Sequence, residues 1–409
     1  METIRTIYKI GLGPSSSHTI GPNRAASTFV SRHPEADKYR VTLYGSLAAT
    51  GKGHMTDKAI AKAFGDKPLE IVWRADIVPE FHTNGMLFEA LDASGNVTAD
   101  WTAYSIGGGE ISEGPEDKSK AENELYPCNS MTEIRKLIHE EGFSFWEYVE
   151  HFEGEQIWDY LATIWEAMKQ SIRDGLANDR ILPGCLRMRS KAKQYYIKAT
   201  GYKDSLRTRA LVMSYALAVS EQNARGAQVV TAPTCGSCGV LPSVLYHMST
   251  YHDFQDSDIL KALATAGLFA NVIRTNASVS GAEVGCQGEV GSACVMAAAA
   301  VCQLFGGTPM QIECAAEMAM EHNLGLTCDP ICGLVQIPCI ERNAVAALRA
   351  LDVSLYSLLN DGSHRITFDK VIDTMKRTGH DIPNPYKETA GGGLATLEYD
   401  KSQLSKDID

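Results

Sequence analysis

The sequence predicts an α+β unit followed by a mainly α-helical one, and three observations carry this expectation. Short apolar runs alternate with helical patterns up to about residue 110; a polar, acidic stretch follows, EISEGPEDKSKAENELYPCN at 110–129; and beyond it apolar residues recur at three- and four-residue spacing almost throughout.

In the first unit TIYKIGLG, VTLYGSL, LEIVW and GMLFEAL have the short apolar runs of strands, whereas about residues 23–32 and DKAIAKAF have helical spacing. A last strand is expected over about residues 97–106, ended by Gly107, Gly108 and Gly109. The acidic stretch reads as a linker or long loop, which divides the chain into a small α/β unit at 1–125 and a helical unit at 126–409. In the helical unit Ile157, Leu161, Ile164 and Trp165 mark one helix, and Leu211, Tyr215 and Leu217 to Val219 another. Pro309 fits the first position of a helix ending near Asn323, with Gly325 just past it, and a further apolar helix follows Pro338 to about Leu359. Three glycine-rich segments interrupt these helices: TAPTCGSCGVLP, SVSGAEVGCQGEVG and LTCDPICGLVQIPC. Each contains cysteine, and glycine lets backbones approach closely, so a cofactor site is expected where they converge.

The length of 409 residues with 44% hydrophobic content suffices for two packed cores. With 50 acidic against 38 basic residues the formal charge is −12, which repels phosphate backbones and anionic membranes. Neither nucleic acid nor membrane is an expected partner. The segment METIRTIYKIGLGPSSSHT lacks the apolar core of a signal peptide, and the most apolar stretch, 293–305, is shorter than the roughly 20 residues of a spanning helix. A cytosolic location is therefore expected.

In that setting the eleven cysteines read as reduced thiols or metal ligands, not as a disulfide framework. Cys294, Cys302 and Cys314 lie at helical spacing among Ala, Val and Met, as small buried hydrophobes do, and Cys128 and Cys185 are isolated. Cys235, Cys238, Cys328 and Cys332 permit a four-thiolate zinc site, which would make the chain a zinc-stabilised binding protein. Cys286, Cys328 and Cys339 permit an iron–sulfur cluster, with Cys339 opening a helix whose dipole favours a thiolate. Spacing leaves both open.

Ser15, Ser16, Ser17, His18 and Thr19 lie between Gly13-Pro14 and Gly21-Pro22, just before a helix. Hydroxyls and free N–H groups there suit a carboxylate; a plain serine N-cap is the alternative. His18 and His54 are candidate general bases, and the Gly-Lys-Gly turn before His54 is expected to expose it. Arg342 and Asn343 follow Cys339 and can donate to a carboxylate or to cluster sulfurs.

The segments GPSSSHTIGP, LYGSLAATGKGH, YSIGGG, VVTAPT, VSGAEVGCQGEVGSA, LGLTCDPICGLVQIPCIERNA and YKETAGGGLA closely resemble the iron–sulfur L-serine dehydratases, or L-serine ammonia-lyases, in order from residue 5 to about 397. The resemblance implies a β-type domain ahead of an α-type domain, and a [4Fe–4S] cluster on Cys286, Cys328 and Cys339 with one iron left open as a Lewis acid. It implies substrate contacts from the SSSHT segment, a base at His54 or His18, conversion of L-serine to pyruvate and ammonia, and a homodimer. L-threonine and L-cysteine stay open as substrates of the same chemistry. Cys332, Cys235 and Cys238 stand where such dehydratases commonly carry other residues; inert packing is the expectation for them. Some members close the open iron with a C-terminal cysteine, and the ending KSQLSKDID offers none.

Overall fold

The computed structural model describes residues 1–114 and 124–397. The middle of the acidic stretch and the KSQLSKDID ending lie outside the described residues.

The first unit contains β1 (Ile10–Leu12), α1 (Gly21–Arg32), β2 (Lys38–Tyr44), α2 (Gly45–Thr50), α3 (Thr56–Phe64), β3 (Leu69–Arg74), β4 (Gly85–Leu91), β5 (Val97–Gly107) and β6 (Glu110–Ser112). Five of these strands form a mixed sheet in the order β3-β2-β4-β5-β6, with β2 and β3 parallel and the other pairs antiparallel. The parallel pair follows from the helical crossover through α3, and the antiparallel pairs β4–β5 and β5–β6 from short turns. Alternation in β2 and β4 sends Tyr39, Val41 and Leu43, and Met86, Phe88 and Ala90, to the face covered by Phe29 of α1 and by Ile60 and Phe64 of α3.

Two sequence expectations are corrected in this unit. In TIYKIGLG only Ile10–Leu12 is a strand, and it pairs with β7 (Gln228–Val230) of the helical unit instead of joining the sheet. Ahead of it Ile4–Thr6 forms a 3-10 turn, and Met1, Ile4, Ile7 and Tyr8 are buried in the helical core. Ile4, Ile7 and Tyr8 recur at helical rather than alternating spacing, which is why the run suits a helical neighbourhood. Second, Glu110–Ser112, read as linker, is a strand folded back on β5. Gly107, Gly108 and Gly109 all adopt positive φ (102°, 57° and 77°), and this allows the reversal.

The helical unit runs through α4 (Met131–Glu141), α5 (Phe145–Glu153), α6 (Gln156–Ala177), α7 (Ala192–Thr200), α8 (Asp204–Ala224), β7, α9 (Val240–Tyr251), α10 (Asp256–Asn276), α11 (Gly281–Val284), α12 (Ser292–Leu304), α13 (Pro309–Glu321), α14 (Cys339–Leu358) and α15 (Phe368–Asp381). Helix α12 is its axis: every residue from Ser292 to Cys302 is buried, and α9, α10, α13 and α14 pack around it. Its alanines let the neighbours approach closely, and Cys294 and Cys302 fill that packing as expected. Pro309 opens α13 with Thr308 and Gln311 forming a capping box, and α14 opens at Cys339. No described helix is long and apolar enough to cross a membrane.

Candidate active site

Loops from both units meet at one buried locus. From the first unit come a π-helical turn, Ser16–Ile20, and the stretch from α2 to His54. From the helical unit come residues 232–239, a second π-helical turn at Gln287–Gly291, the Cys328–Cys339 loop and a strap at 384–394. π-turns re-aim side chains at functional sites, and here two of them flank one site.

The first turn is built by its own side chains. Ser15 accepts from the His18 N–H at 3.1 Å, and the Ser15 N–H donates to Thr19 Oγ1 at 3.2 Å. Thr19 Oγ1 in turn donates to the His54 carbonyl at 2.8 Å, while Thr56 Oγ1 donates to the His18 carbonyl at 2.6 Å. The two histidine backbones are thus tied together, and their rings stand 4.5 Å apart, tilted by 59°. Ser15, Ser16, Ser17, His18 and Thr19 are all buried. His54 is fully buried rather than exposed, which corrects the expectation from its Gly-Lys-Gly turn. That turn faces the helical unit: a Cβ on Gly53 would stand 2.8 Å from the Gly333 carbonyl, so glycine is required for the close approach.

The strap brings in a residue not singled out from the sequence, Glu388. Its N–H donates to the Cys328 carbonyl at 2.6 Å, and the Cys328 N–H donates to the Tyr386 carbonyl at 2.8 Å, which pins the strap beside a candidate cluster ligand. Ser46 Oγ donates to the Glu388 carbonyl at 2.7 Å and lies 3.1 Å from His18 Nε2. His18 Nδ1 lies 3.4 Å from Glu388 Oε1. Burial lowers the His18 pKa to about 4, against a smaller upward pull from Ser46, and burial pushes the Glu388 carboxyl up. Both shifts favour the uncharged forms of imidazole and carboxyl across this contact. Burial, and then the neighbouring His18, also hold His54 well below the usual histidine range.

Cys286, Cys328 and Cys339 are buried across from this pair. Burial raises all three thiols, and the charge of each of Cys286 and Cys339 raises Cys328 further. Arg342 hydrogen-bonds Cys286, and its charge favours the Cys286 and Cys339 thiolates; its Nη1 donates to the Thr327 carbonyl at 2.6 Å. Asn343 holds the loops together: its amide donates to the Gly236 and Cys339 carbonyls at 2.8 Å, and its Oδ1 accepts from Gly239 N at 2.9 Å. Glu289, also not singled out beforehand, accepts from Thr234 Oγ1 at 2.9 Å and lies 3.8 Å from Cys328 Sγ. Both glutamates stand inside segments quoted for the family resemblance, so motif membership was the signal that could have found them.

The residues present fit an iron–sulfur cluster. Three buried thiols beside a guanidinium are stabilised as thiolates by bound iron. Gly281 leaves room at one of them, since a Cβ there would meet Cys328 Sγ at 3.1 Å and Glu289 Oε2 at 2.8 Å. A single four-thiolate zinc ion needs sulfurs about 4 Å apart. Among the described residues the set of metal-ligating atoms found within 4.8 Å of one another is His18, His54 and Glu388, with no thiol in it. Cys235 and Cys238 are buried in an apolar cluster with Ile172, Leu211 and Val219, and Cys332 is exposed.

The family model for the serine dehydratase beta chain matches residues 3–68, and that for the serine dehydratase alpha chain matches 44–395. The chain is 40% identical to an L-serine dehydratase of Streptomyces coelicolor over 95% of its length and 97% of that protein's. It is 38% identical to L-serine dehydratase 2 of Escherichia coli, covering 97% and 98% of the two chains. It is 35% identical to an L-serine dehydratase of Helicobacter pylori, covering 96% and 98%. The chain belongs to the serine dehydratase family, with its beta-type and alpha-type regions fused in one polypeptide.

Proposed function

We propose that this protein converts L-serine to pyruvate and ammonia, with a [4Fe–4S] cluster on Cys286, Cys328 and Cys339. The observation that carries this reading is a group of buried polar atoms without hydrogen-bond partners that face one another: both ring nitrogens of His54, His18 Nδ1 and Glu388 Oε2. Unpaired buried polar atoms cost free energy, and a small polar substrate between them and the thiols would satisfy them. The relatives' names favour serine as that substrate.

When bound, the cluster supplies an open, Lewis-acidic iron beside the departing β-hydroxyl. The chain's own residues do the rest. Ser15 and Thr19 fix the turn whose first N–H groups, unpaired within the helix, receive the substrate carboxylate. A neutral imidazole, His54 or His18, accepts the α-proton, which a protonated histidine could not do. Loss of the α-proton and of hydroxide, which leaves as water, yields aminoacrylate; its imine tautomer is hydrolysed to pyruvate and ammonia. The buried setting keeps bulk water from the carbanionic centre.

Anaerobically reconstituted protein is expected to be brown, to carry about four irons and four sulfides per chain for a [4Fe–4S] centre, and to release pyruvate from L-serine. Colourless protein with stoichiometric zinc would overturn the reading. Turnover of L-threonine or L-cysteine in place of L-serine would retain the chemistry and correct the substrate.

A further inference from the structure

A cavity lies beside the histidine-bearing segments, and neither His18, His54 nor Glu388 is among its lining residues. It has a volume of about 860 Å³ and is bounded by α1, α3 and β1, and its wall includes Gly13, Thr19, Ile20 and Met55.

Its lining is strongly cationic in a chain of net charge −12: Arg5, Lys9, Arg24, Lys58, Lys62 and Arg225 face it, against one carboxylate, Glu110. Glu110 pairs with Lys9 and with Arg24, the latter at 2.9 Å, so its charge is already shared by two cations. Arg5 makes a 4.0 Å contact with Glu153 and lies over the Tyr160 ring at 5.2 Å. Lys58 and Lys62 stand one turn apart on α3, and neither takes part in an ion pair among the described residues. Arg225 donates to the Arg180 carbonyl at 2.6 Å through Nη2. A concave site with several cations and only one acid favours an anion over water, because each charge-assisted bond there forms in a partly desolvated setting.

We propose that this cavity binds a small multiply charged anion, a polycarboxylate or a phosphate ester. Its volume exceeds what a three-carbon amino acid fills, and its excess of several cations exceeds what one carboxylate neutralises. The proposal does not rest on the dehydratase reading, since binding is measured without turnover.

The test is calorimetric titration of the reconstituted full-length protein at constant ionic strength with tricarballylate and, separately, with glycerol 3-phosphate. Saturable binding of one anion per chain is expected from at least one of them; which one binds identifies the source as carboxylate or phosphate. The Lys58→Glu, Lys62→Glu double variant, altered only at exposed helix positions, is expected to bind at least about tenfold more weakly with an unchanged circular dichroism spectrum. Lys62→Gln serves as a milder second variant, with a smaller weakening in the same direction. Absence of saturable binding by both anions, or equal binding by wild type and both variants, would overturn the proposal.

Discussion

The histidine side and the cysteine side of the candidate site are built on opposite principles. On the histidine side the backbone is closed by its own hydrogen bonds: Ser15 closes the first turn, Thr19 and Thr56 tie it to the loop of His54, and Ser46 bridges His18 and Glu388. On the cysteine side the loops are joined by Asn343 and the strap, but the functional atoms are raised thiols and acids with one guanidinium among them. The first half is preorganised without a ligand; the second is completed electrostatically only by a cationic group. The serine chemistry proposed above would use both, a neutral base and an electrophile that must be loaded.

The comparison is broken most severely from the cysteine side. Cys339→Ala removes the thiol that opens α14, and the expected outcome is loss of cluster iron and of pyruvate release, measured by iron analysis and by visible absorption. Full activity in that variant would refute the ligand set. His54→Ala tests the other half: turnover is expected to fall by about 10²–10⁴-fold, the usual range for a lost general base, with iron content unchanged. Iron lost together with activity would show that the halves are not independent. A smaller effect is expected from Arg342→Leu, which removes the hydrogen bond to Cys286; losses of about 10–100-fold in iron affinity or activity are typical when a group supporting a metal ligand is removed.

The two halves also differ in how far the sequence revealed them. The α+β to helical order, the strands at 69–74, 85–91 and 97–107, and the opening of α14 at Cys339 all followed from local periodicity and punctuation, whereas the run VTLYGSL is strand only to Tyr44, since Gly45 already opens α2. The N-terminal run did not, because the partners of Ile4, Ile7 and Tyr8 come from the helical unit; Tyr8 donates to the Leu263 carbonyl at 2.7 Å, and periodicity carries no information about so distant a neighbour. The burial of His54 was hidden for the same reason: its turn is covered by residues near Gly333. Cysteine spacing left iron–sulfur and zinc open, and only the ordered motif resemblance separated them. Local pattern did not mark Glu388, because a strap about 60 residues beyond Cys328 delivers it; only its place in YKETAGGGLA carried a signal.

The gentlest probe of the comparison reads stability instead of turnover, and its sign follows from His18. Its folded-state pKa is lowered from 6.5 to about 4 because the ring is fully buried. Above pH 6.5 the imidazole is neutral in both folded and unfolded chains, so its contribution is fully present. As pH falls from 6.5 toward 4 the unfolded chain takes up a proton that the folded one does not, and stability is lost. The span corresponds to about 3 kcal/mol, and His54 acts in the same direction. Urea unfolding at pH 7 and pH 4.5 should therefore show a larger loss in wild type than in His18→Asn, which carries no titrating ring. Glu388 makes the comparison decisive. Were its carboxylate ionised beside His18, the pair would raise the histidine and the wild-type chain would gain stability relative to the variant on acidification. A reversed difference would thus show that the histidine half, like the cysteine half, holds charge.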